Sequence, residues 1–306
     1  MRRREFITLL GGAAAWPVLA GAQELGRTYR LGGLAPSPRE APQNVALFEE
    51  LRRSGFIEGQ NLTIDWRVYG QRVELVSEFA TELVKARADV IMAGGDFGIR
   101  AAQQATATIP IVGFTDDMLG SRLVSSLAHP GGNTTGVSLL ATDLDGKRQE
   151  ILIEAVPGVR RMAAFADIGT SSPRQLQALK DAARARGVEL SIHQVAKAEE
   201  IASAIDSAKA SNAAALNILA SPLLFANRKI IIERAAALHL PAIYQWPEVA
   251  EEGGCIGYGP RLVKLYRDLV ARQFIKILRG AKPADLPVEQ PTTATTYFMG
   301  ISGRYS

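Results

Sequence analysis

The chain has little of what most enzymes use for chemistry. Its 306 residues include a single cysteine, Cys255, and three histidines. One cysteine excludes an internal disulfide, a multi-thiolate metal site and a two-cysteine racemase. Cys255 follows two glycines, and we interpret it as a small buried residue rather than a reactive thiol. None of His129, His193 and His239 has a second ligand at metal-binding spacing, so we predict no metal site and structural roles for all three.

Other signatures of catalysis and of cofactor binding are missing. The sequence has no G-x-S-x-G nucleophile elbow and no G-x-G-x-x-G after a strand. Residues 131–136, Gly-Gly-Asn-Thr-Thr-Gly, are rich in glycine but lack the Lys-Ser/Thr pair of a phosphate loop. The formal charge is only +4 and the basic residues are scattered, without the basic stripe typical of nucleic-acid binding. We predict no cofactor and no nucleic-acid partner, and the absence of an N-terminal helix-turn-helix disfavours a DNA-binding regulator.

The N-terminus contains an apolar run too short to span a bilayer. A basic head at Met1–Arg4 precedes the apolar run Phe6–Ala15 and an A-x-A site at Ala20–Ala22. This pattern predicts a signal peptide over residues 1–22, cleaved near Ala22, and a mature protein in the periplasm. The Arg-Arg-Glu-Phe-Ile segment is similar to a twin-arginine signal, with an ordinary Sec signal as the alternative. The residue directly after the predicted cleavage point is Gln23 and not a cysteine, which disfavours a lipoprotein.

The remaining sequence repeats one pattern twice. Residues 29–114 and 161–244 both alternate apolar strands with helices, and residues 89–93 and 213–219 are apolar runs typical of buried parallel strands. Asn217 interrupts the second run, and we interpret it as a satisfied buried amide. The pattern predicts an α/β protein with two similar Rossmann-like lobes, each with a parallel sheet, joined by a hinge with several crossovers.

We expect each lobe to be built from two separate segments of the chain. We assign residues 23–140 and about 258–283 to lobe 1, and 141–257 and about 284–306 to lobe 2. The crossover at 139–148 leads into a predicted helix over 147–155, and a further helix is predicted over about 262–278. After Pro287 the sequence shows no clear periodicity.

Ligands of parallel sheets bind beyond the carboxyl ends of the strands, so two facing lobes predict a cleft for a small molecule. The strand-end loops supply three kinds of candidate. Hydroxyl and backbone N–H groups for an anion come from Ser37, Gly94, Gly95, Thr115 and Ser221. Carboxylates for an ammonium group come from Asp96, Asp116 and Asp167, and aromatic walls from Tyr244, Trp246 and Tyr258. Together they predict an amino-acid pocket, although each residue alone has helix capping or core packing as an alternative.

Two other functions remain open. The adjacent Asp116 and Asp117 allow a periplasmic hydrolase or isomerase that uses one of them as a base. Adjacent residues in one loop need not direct their carboxyl groups at the same point, so we favour ligand contact or capping for this pair. The same two-lobed clamp also serves a subunit that presents a bound ligand to a signalling receptor.

Several segments resemble one bacterial family. They are the leader over 2–12, Gly-Phe-Ile-Glu-Gly-Gln-Asn-Leu at 55–62, Ile-Pro-Ile-Val at 109–112, His-Pro-Gly-Gly-Asn-Thr-Thr-Gly-Val at 129–137, Leu-Pro-Ala-Ile-Tyr at 240–244, Gly-Tyr-Gly at 257–259 and residues 280–288. The chain is similar from its leader to about Pro291 to the ABC-transporter substrate-binding proteins, a family that includes tryptophan/tyrosine binders. This resemblance implies a type I periplasmic-binding-protein fold and a non-enzymatic, monomeric receptor. Such a receptor closes on a small solute and delivers it to an ABC permease with a cytoplasmic ATPase.

The chain departs from the family pattern in two places. Relatives continue beyond the Gln-Pro-Thr at 290–292 with a strand and a closing helix, whereas this chain ends after a different tail. We expect this tail to leave part of one lobe uncovered. The loop Ala-Ser-Pro-Leu at 220–223 is often acidic in relatives, so the identity of their ligand does not transfer.

Overall fold

A computed structural model describes residues 27–298 except Gln71 and Leu140, and the side chains of 141–143 are also outside the description. The predicted signal peptide and the last eight residues therefore lie outside the described residues. The predicted fold class is confirmed, because the chain forms two mainly parallel sheets flanked by helices.

In the described part of the chain, five parallel strands form the first sheet in the order β2-β1-β3-β4-β5. The strands are β1 (Tyr29–Ala35), β2 (Leu62–Val68), β3 (Val90–Gly94), β4 (Ile111–Thr115) and β5 (Thr134–Ser138). Strand β3 is buried along its whole length, as its apolar sequence predicts. Gly33 of β1 leaves room for the ring of Trp66 on the neighbouring strand β2, since a Cβ at Gly33 would lie 1.9 Å from that ring.

Helices cover both faces of the first sheet. They are α1 (Pro42–Arg53), α2 (Val76–Lys85), which follows a 3₁₀ turn at Val73–Leu75, and α3 (Gly95–Ala105). As predicted, α1 ends before Gly55, whose φ of 92° favours glycine. The predicted helix over 262–278 is confirmed as α10 (Leu262–Leu265), a π-helical turn (Tyr266–Val270) and α11 (Ala271–Leu278), which pack against α1.

The second sheet contains six strands of the described chain in the order β11-β10-β9-β8-β6-β7. The strands are β6 (Arg161–Asp167), β7 (Glu189–Val195), β8 (Leu216–Ile218), β9 (Ala242–Tyr244), β10 (Ile256–Gly259) and β11 (Thr295–Phe298). Strand β11 is antiparallel to β10 and was not predicted. All four of its side chains are exposed. The strand is therefore held by its backbone pairing with β10, and its sequence does not show the alternation of apolar and polar residues by which a half-buried strand is predicted.

The helices of the second lobe are α4 (Ala141–Ala155), α5 (Pro173–Ala185), α6 (Glu199–Ala210), α7 (Pro222–Ala226), α8 (Arg228–Ala237) and α9 (Pro247–Glu251). Helix α4 begins six residues before the predicted start at 147. Residues 141–146, which we interpreted as part of the crossover, therefore form the first turns of the helix.

Three segments of the described chain cross between the lobes. They lead from β5 to α4, from β10 to α10, and from Glu289 to β11. Glu289 runs beside β5, where its N–H donates to the carbonyl of Gly136 at 2.8 Å, and Val288 packs in the core of the first lobe. The boundaries predicted for the lobes stay a prediction.

The largest cluster of buried apolar side chains includes residues of both lobes, among them Met92, Phe165, Tyr244 and Phe274. Burial of each such side chain contributes roughly 1.5–3 kcal/mol to folding. Cys255 is fully buried and burial raises its pKa, which confirms its interpretation as a small core residue. Within the described residues, no helix has the length and apolar character needed to cross a membrane.

Candidate functional site

The candidate residues lie where the strands end. Ser37 follows β1, Asp96 follows β3, and Asp116 follows β4, while Asp167 ends β6 and Ser221 follows β8. Because the strands of each sheet are parallel, these loops share the carboxyl edge of their own sheet. The structure pairs some of these side chains with one another and leaves others in the core.

In the first lobe, Asp96 and Thr115 are brought together. The hydroxyl of Thr115 donates to the Asp96 carboxylate, so its single proton is used within the protein. The Gly94 carbonyl accepts a hydrogen bond from the hydroxyl of Tyr69 at 2.6 Å, and Gly95 has a φ of 68°. Tyr69 is buried; burial first, and the charge of Asp96 second, raise its pKa. Tyr69 therefore stays a neutral hydrogen-bond donor that fixes the start of α3.

Groups of the second lobe act on the carboxyl group of Asp116. They are the amide of Gln245, which follows β9, and the charged side chains of Asp145 and Arg148 in α4. The residue as a whole keeps some solvent exposure, whereas its carboxyl group is buried. Burial, followed by the charges of Asp145 and Asp96, raises its pKa to about 7. Arg148 and Gln245 oppose this rise but do not cancel it.

Asp145 and Arg148, which both act on Asp116, form an ion pair in which neither side chain is exposed. The second oxygen of Asp145 accepts from the amide of Gln175 at 2.5 Å. Arg148 also donates to the backbone carbonyl of Tyr258 at 3.2 Å. These bonds tie α4 to α5 and β10, and so fix one wall of the cleft.

In the second lobe, Asp167 and Ser221 meet. The Ser221 hydroxyl donates to Asp167 at 2.7 Å and accepts from the N–H of Leu224 at 3.2 Å, capping α7. The other Asp167 oxygen accepts from the N–H of Gly169 at 2.7 Å. Both side chains are buried. The capping alternative therefore describes their contacts here, since the Ser221 hydroxyl proton is directed at Asp167 of the protein and not at a ligand.

Ser37 contacts the start of α1 and the neighbouring strand β2. Its hydroxyl oxygen accepts from Asn44 at 3.1 Å and from Gln43 at 3.2 Å, and its carbonyl accepts from the indole N–H of Trp66 at 3.1 Å. These bonds order the loop between β1 and α1. The hydroxyl proton of Ser37 is not used by these contacts.

Two of the three aromatic side chains that we predicted to line the pocket are packed in the core. Tyr244 and Trp246 are only 2% and 5% exposed, and Trp246 packs edge-on against Phe225 with ring centroids 6.5 Å apart. Tyr258 is half-buried against the core of the second lobe. An aromatic side chain that we did not predict is more exposed: Phe97 of α3 is 48% exposed. Its Cε2 lies 3.8 Å from the position of a Cβ built on Gly169 of the other lobe.

Five residues of this region were not predicted from the sequence: Tyr69, Phe97, Asp145, Arg148 and Gln245. A signal existed for the ion pair, because Asp145, Arg148 and the buried Leu152 follow helical spacing, which places two charges on an apolar face. The contacts of Phe97 and Gln245 depend on how the lobes face each other, and local sequence does not encode this.

Asp117 and the histidines lie outside this cluster. A carboxylate oxygen of Asp117 accepts from the N–H of Gly120 at 2.8 Å and closes its own turn. His193 lies in β7, 3.2 Å from the hydroxyl of Ser191, and stacks on Phe165. Within the described residues, no group of three His, Cys, Asp or Glu side chains is arranged to hold a metal ion.

A surface cavity of about 430 Å³ lies elsewhere, along β2. It is lined by Pro38, Arg39, Glu40 and residues 64–68. None of these residues belongs to the Asp96–Asp116–Asp145 cluster. The candidate site is therefore defined by polar groups of two lobes that converge, rather than by the size of an opening.

Comparison with known proteins places this architecture in one family. The model of the family described as "ABC transporter substrate binding protein" matches residues 43–299. The chain belongs to this family. It is 26% identical over 245 residues to the tyrosine-binding protein of Clostridioides difficile, which covers 78% of this chain and 68% of that protein.

Two solved structures show the same fold. A conserved domain protein of Vibrio cholerae aligns with a TM-score of 0.80 at 23% identity, covering 89% of this chain and 91% of the other. A Streptococcus ABC domain in complex with L-Trp aligns with a TM-score of 0.76 at 20% identity, covering 89% and 92%. The predicted type I periplasmic-binding-protein fold and the predicted family are thus confirmed.

Proposed function

We propose that the protein is the extracytoplasmic receptor of an ABC import system and binds an amino acid or a related small carboxylate between its lobes. The observation that carries this proposal is that the two lobes approach each other at their strand ends. Phe97 of α3 lies 3.8 Å from a Cβ built on Gly169, and groups from α3, α4 and the loop after β9 act on Asp116. Family membership adds the role in transport, since members of the family are substrate-binding proteins.

The solute class is supported by chemistry and by relatives. Asp96 and Asp116 offer carboxylate oxygens to an ammonium group, and the backbone at Gly95 opens α3, where helix N-termini favour an anion. One relative is named for tyrosine and another is bound to L-Trp. Phe97, which is exposed at the lobe interface, is the aromatic candidate for an apolar solute side chain.

Transport requires that the solute binds the closed lobes better than the open lobes. A shift from a largely open to a largely closed population takes about 5.5 kcal/mol of differential affinity. A solute that contacts Asp96 in one lobe and Gln245 in the other supplies this difference, because only the closed form presents both. The closed protein then docks on the permease, while the ATPase acts on the cytoplasmic side.

The location outside the cytoplasmic membrane rests on the N-terminal sequence and on the family. We expect the segment 1–22 to direct export and to be absent from the mature protein. Fractionation of expressing cells tests this, because the mature protein should appear in the periplasmic fraction with Gln23 as its first residue. An Arg3→Lys, Arg4→Lys double variant that blocks export would identify the twin-arginine route.

One observation favours a second function. A carboxyl group with a pKa of about 7 is suited to general acid–base catalysis near neutral pH. The periplasmic hydrolase or isomerase with Asp116 as its base therefore stays the alternative. A signalling receptor in place of the permease is compatible with the same clamp.

A thermal-shift screen of the purified protein against amino acids, small carboxylates, sugars and purines tests the proposal. A solute at about 100 times its Kd adds roughly 2.7 kcal/mol to the free energy of unfolding, which raises the melting midpoint. The expected result is a shift confined to amino acids or small carboxylates, with the solute recovered unchanged. Conversion of the solute, abolished in Asp116→Asn, would instead establish the enzyme.

A further inference from the structure

Four sheet edges lie in the described part of the chain, and the edge of the first sheet at β5 is covered. The N–H of Glu289 donates to the carbonyl of Gly136 at 2.8 Å, and the N–H of Ser138 donates to the carbonyl of Glu289 at 2.9 Å. The opposite edge is β2, which carries the charged side chains of Asp65 and Arg67. Charged residues on an edge strand oppose its pairing with another chain.

The two edges of the second sheet differ from each other. Strand β7 at one edge begins with Glu189, which forms an exposed ion pair with Arg161. Strand β11 at the other edge carries no charged side chain, and the sequence has no Asp, Glu, Lys or Arg over residues 290–303. The edge at β11 thus lacks the charges with which natural sheets prevent edge pairing.

Strand β11 is suited to pairing on its outer side. Its four residues, Thr295–Phe298, are β-branched or aromatic, the types that strands favour. All four side chains are exposed, with Phe298 at 52%. On its inner side the strand pairs with β10 over its whole length, whereas none of the described strands pairs with its outer side. The backbone N–H and C=O groups of that side form a template for a further strand.

We propose that β11 binds a second copy of this chain, whose own β11 pairs with it in antiparallel orientation across a two-fold axis. Such a contact uses the same surface on both copies, so this surface must be self-complementary. Two β11 strands meet this condition, because they bring no like charges together and because threonine and aromatic side chains pair favourably across strands. The six-stranded sheets of the two copies then form one continuous sheet. This association departs from the monomer that the family resemblance implies.

The short length of β11 limits the strength of this contact. Four residues a side is far fewer than the roughly 20–30 of a standard interface. We therefore expect a weak dimer, with a Kd of about 100 µM rather than about 1 µM. The contact is separate from the candidate site, since Asp167 and Ser221 lie at the ends of β6 and β8, and β9 and β10 separate these strands from β11.

Sedimentation velocity of the purified protein measures the association, at loading concentrations of about 5 to 500 µM that bracket this Kd. Thr296→Lys places a charge in the middle of β11, where the introduced ammonium groups of two paired strands repel each other. The Kd should rise by about tenfold or more. The side chain of Thr296 is exposed, so the melting midpoint of the variant should match that of the wild type.

Gln194→Lys is the matched control. Gln194 is an exposed residue of β7, the opposite edge strand of the same sheet. This variant adds the same charge to the same sheet but away from β11, so its dimer should keep the wild-type Kd.

Cysteine cross-linking locates the contact without a change of charge. Thr296→Cys and Gln194→Cys each add one exposed thiol, while the natural Cys255 is buried. A short bis-maleimide reagent should join two copies of Thr296→Cys at protein concentrations above the Kd. The same treatment should leave Gln194→Cys monomeric.

A dimer that Thr296→Lys weakens, that Gln194→Lys keeps, and that cross-links through position 296 supports the inference. A protein that stays monomeric at every concentration overturns it. A dimer that both lysine variants affect equally, or that cross-links only through position 194, also overturns it, because the contact then lies elsewhere. None of these outcomes decides the proposed function, since solute binding is measured by thermal shift on dilute protein.

Discussion

The guanidinium of Arg148 and the carboxylate of Asp145 form an ion pair that is wholly inside the protein, with both side chains 0% exposed. The pair anchors α4, the first element after the chain crosses into the second lobe, to the amide of Gln175 and the carbonyl of Tyr258. The charges of this pair, which act on Asp116, are thus shielded from water.

We expect Asp145→Asn to destabilise the protein by about 3–5 kcal/mol, because removal of one partner leaves the buried Arg148 charge uncompensated. Urea denaturation followed by circular dichroism measures this loss. Asp181→Asn breaks the exposed pair with Arg184 and should change stability by no more than about 0.5 kcal/mol. Equal effects of the two variants would show that the buried pair contributes no more than a surface pair.

The Ser221–Asp167 bond allows a second prediction. Ser221→Ala removes both the cap of α7 and the donor to Asp167, whereas Ser172→Ala removes only the cap of α5. Loss of a cap costs typically about 1 kcal/mol, and loss of the donor to one oxygen of the buried Asp167 carboxylate adds about 1–3 kcal/mol. Ser221→Ala should therefore be the more destabilising variant in chemical denaturation. If the two losses are equal, the bond to Asp167 is without net effect.

Two glycines should respond in opposite ways to alanine. At Gly33 a Cβ would collide with the Trp66 ring, which is held by its bond to Ser37 and by an edge contact with Phe48. Gly33→Ala should cost about 1–3 kcal/mol through overpacking. Gly146 lies inside α4 with open space around it, so Gly146→Ala should stabilise the protein by roughly 0.5–1 kcal/mol. Thermal unfolding of both variants checks the two signs.

The fold was largely predictable because its signals are local. Strand β3 was predicted at 89–93 and lies at Val90–Gly94, and α1 ends at the glycine that the sequence indicates. Strand β11 was missed, since its exposed residues carry no hydrophobic period. The predicted start of helix α4 was six residues too late, because residues 141–146 were interpreted as part of a crossover.

The site was less predictable because its contacts are distant in sequence. Asp167 and Ser221 are 54 residues apart, and the partners of Asp116 come from both lobes. Strand ends indicated the edge at which these residues lie, but not which side chains pair. Tyr244 and Trp246 follow a strand end as a ligand-binding residue would, yet they fill the core.

Asp116 should also shape the pH dependence of the free protein. Its pKa is about 7 when folded, against an ordinary value of 3.8, so between these values the folded state binds more protons than the unfolded state. Its contribution to stability is therefore complete below about pH 4 and is lost as the pH rises through 7. Urea titrations from pH 4 to 8 should show this loss in wild type, and Asp116→Asn should lack it. Parallel curves for the two proteins would contradict the assigned pKa.

Phe97 provides a test of lobe closure that is separate from charge. Its ring projects from α3 toward Gly169 of the other lobe and is 48% exposed, so Phe97→Ala should change stability little. If the ring helps to close the cleft over a solute, the variant should bind about threefold to tenfold more weakly, which corresponds to about 0.7–1.4 kcal/mol. Calorimetry with a solute that the thermal-shift screen identifies measures this change.

The matched control for this prediction is Phe298→Ala. Phe298 is 52% exposed and pairs with Ile256 at the start of β10, which is the end of the sheet away from the cleft. Its truncation removes a similar exposed ring without access to the solute, so affinity should stay at the wild-type value. Small-angle scattering adds a structural measurement, because a solute should reduce the radius of gyration less in Phe97→Ala than in Phe298→Ala. Equal affinities and equal compaction in both variants would exclude Phe97 from closure and leave contact between the lobes to Asp116 and Gln245.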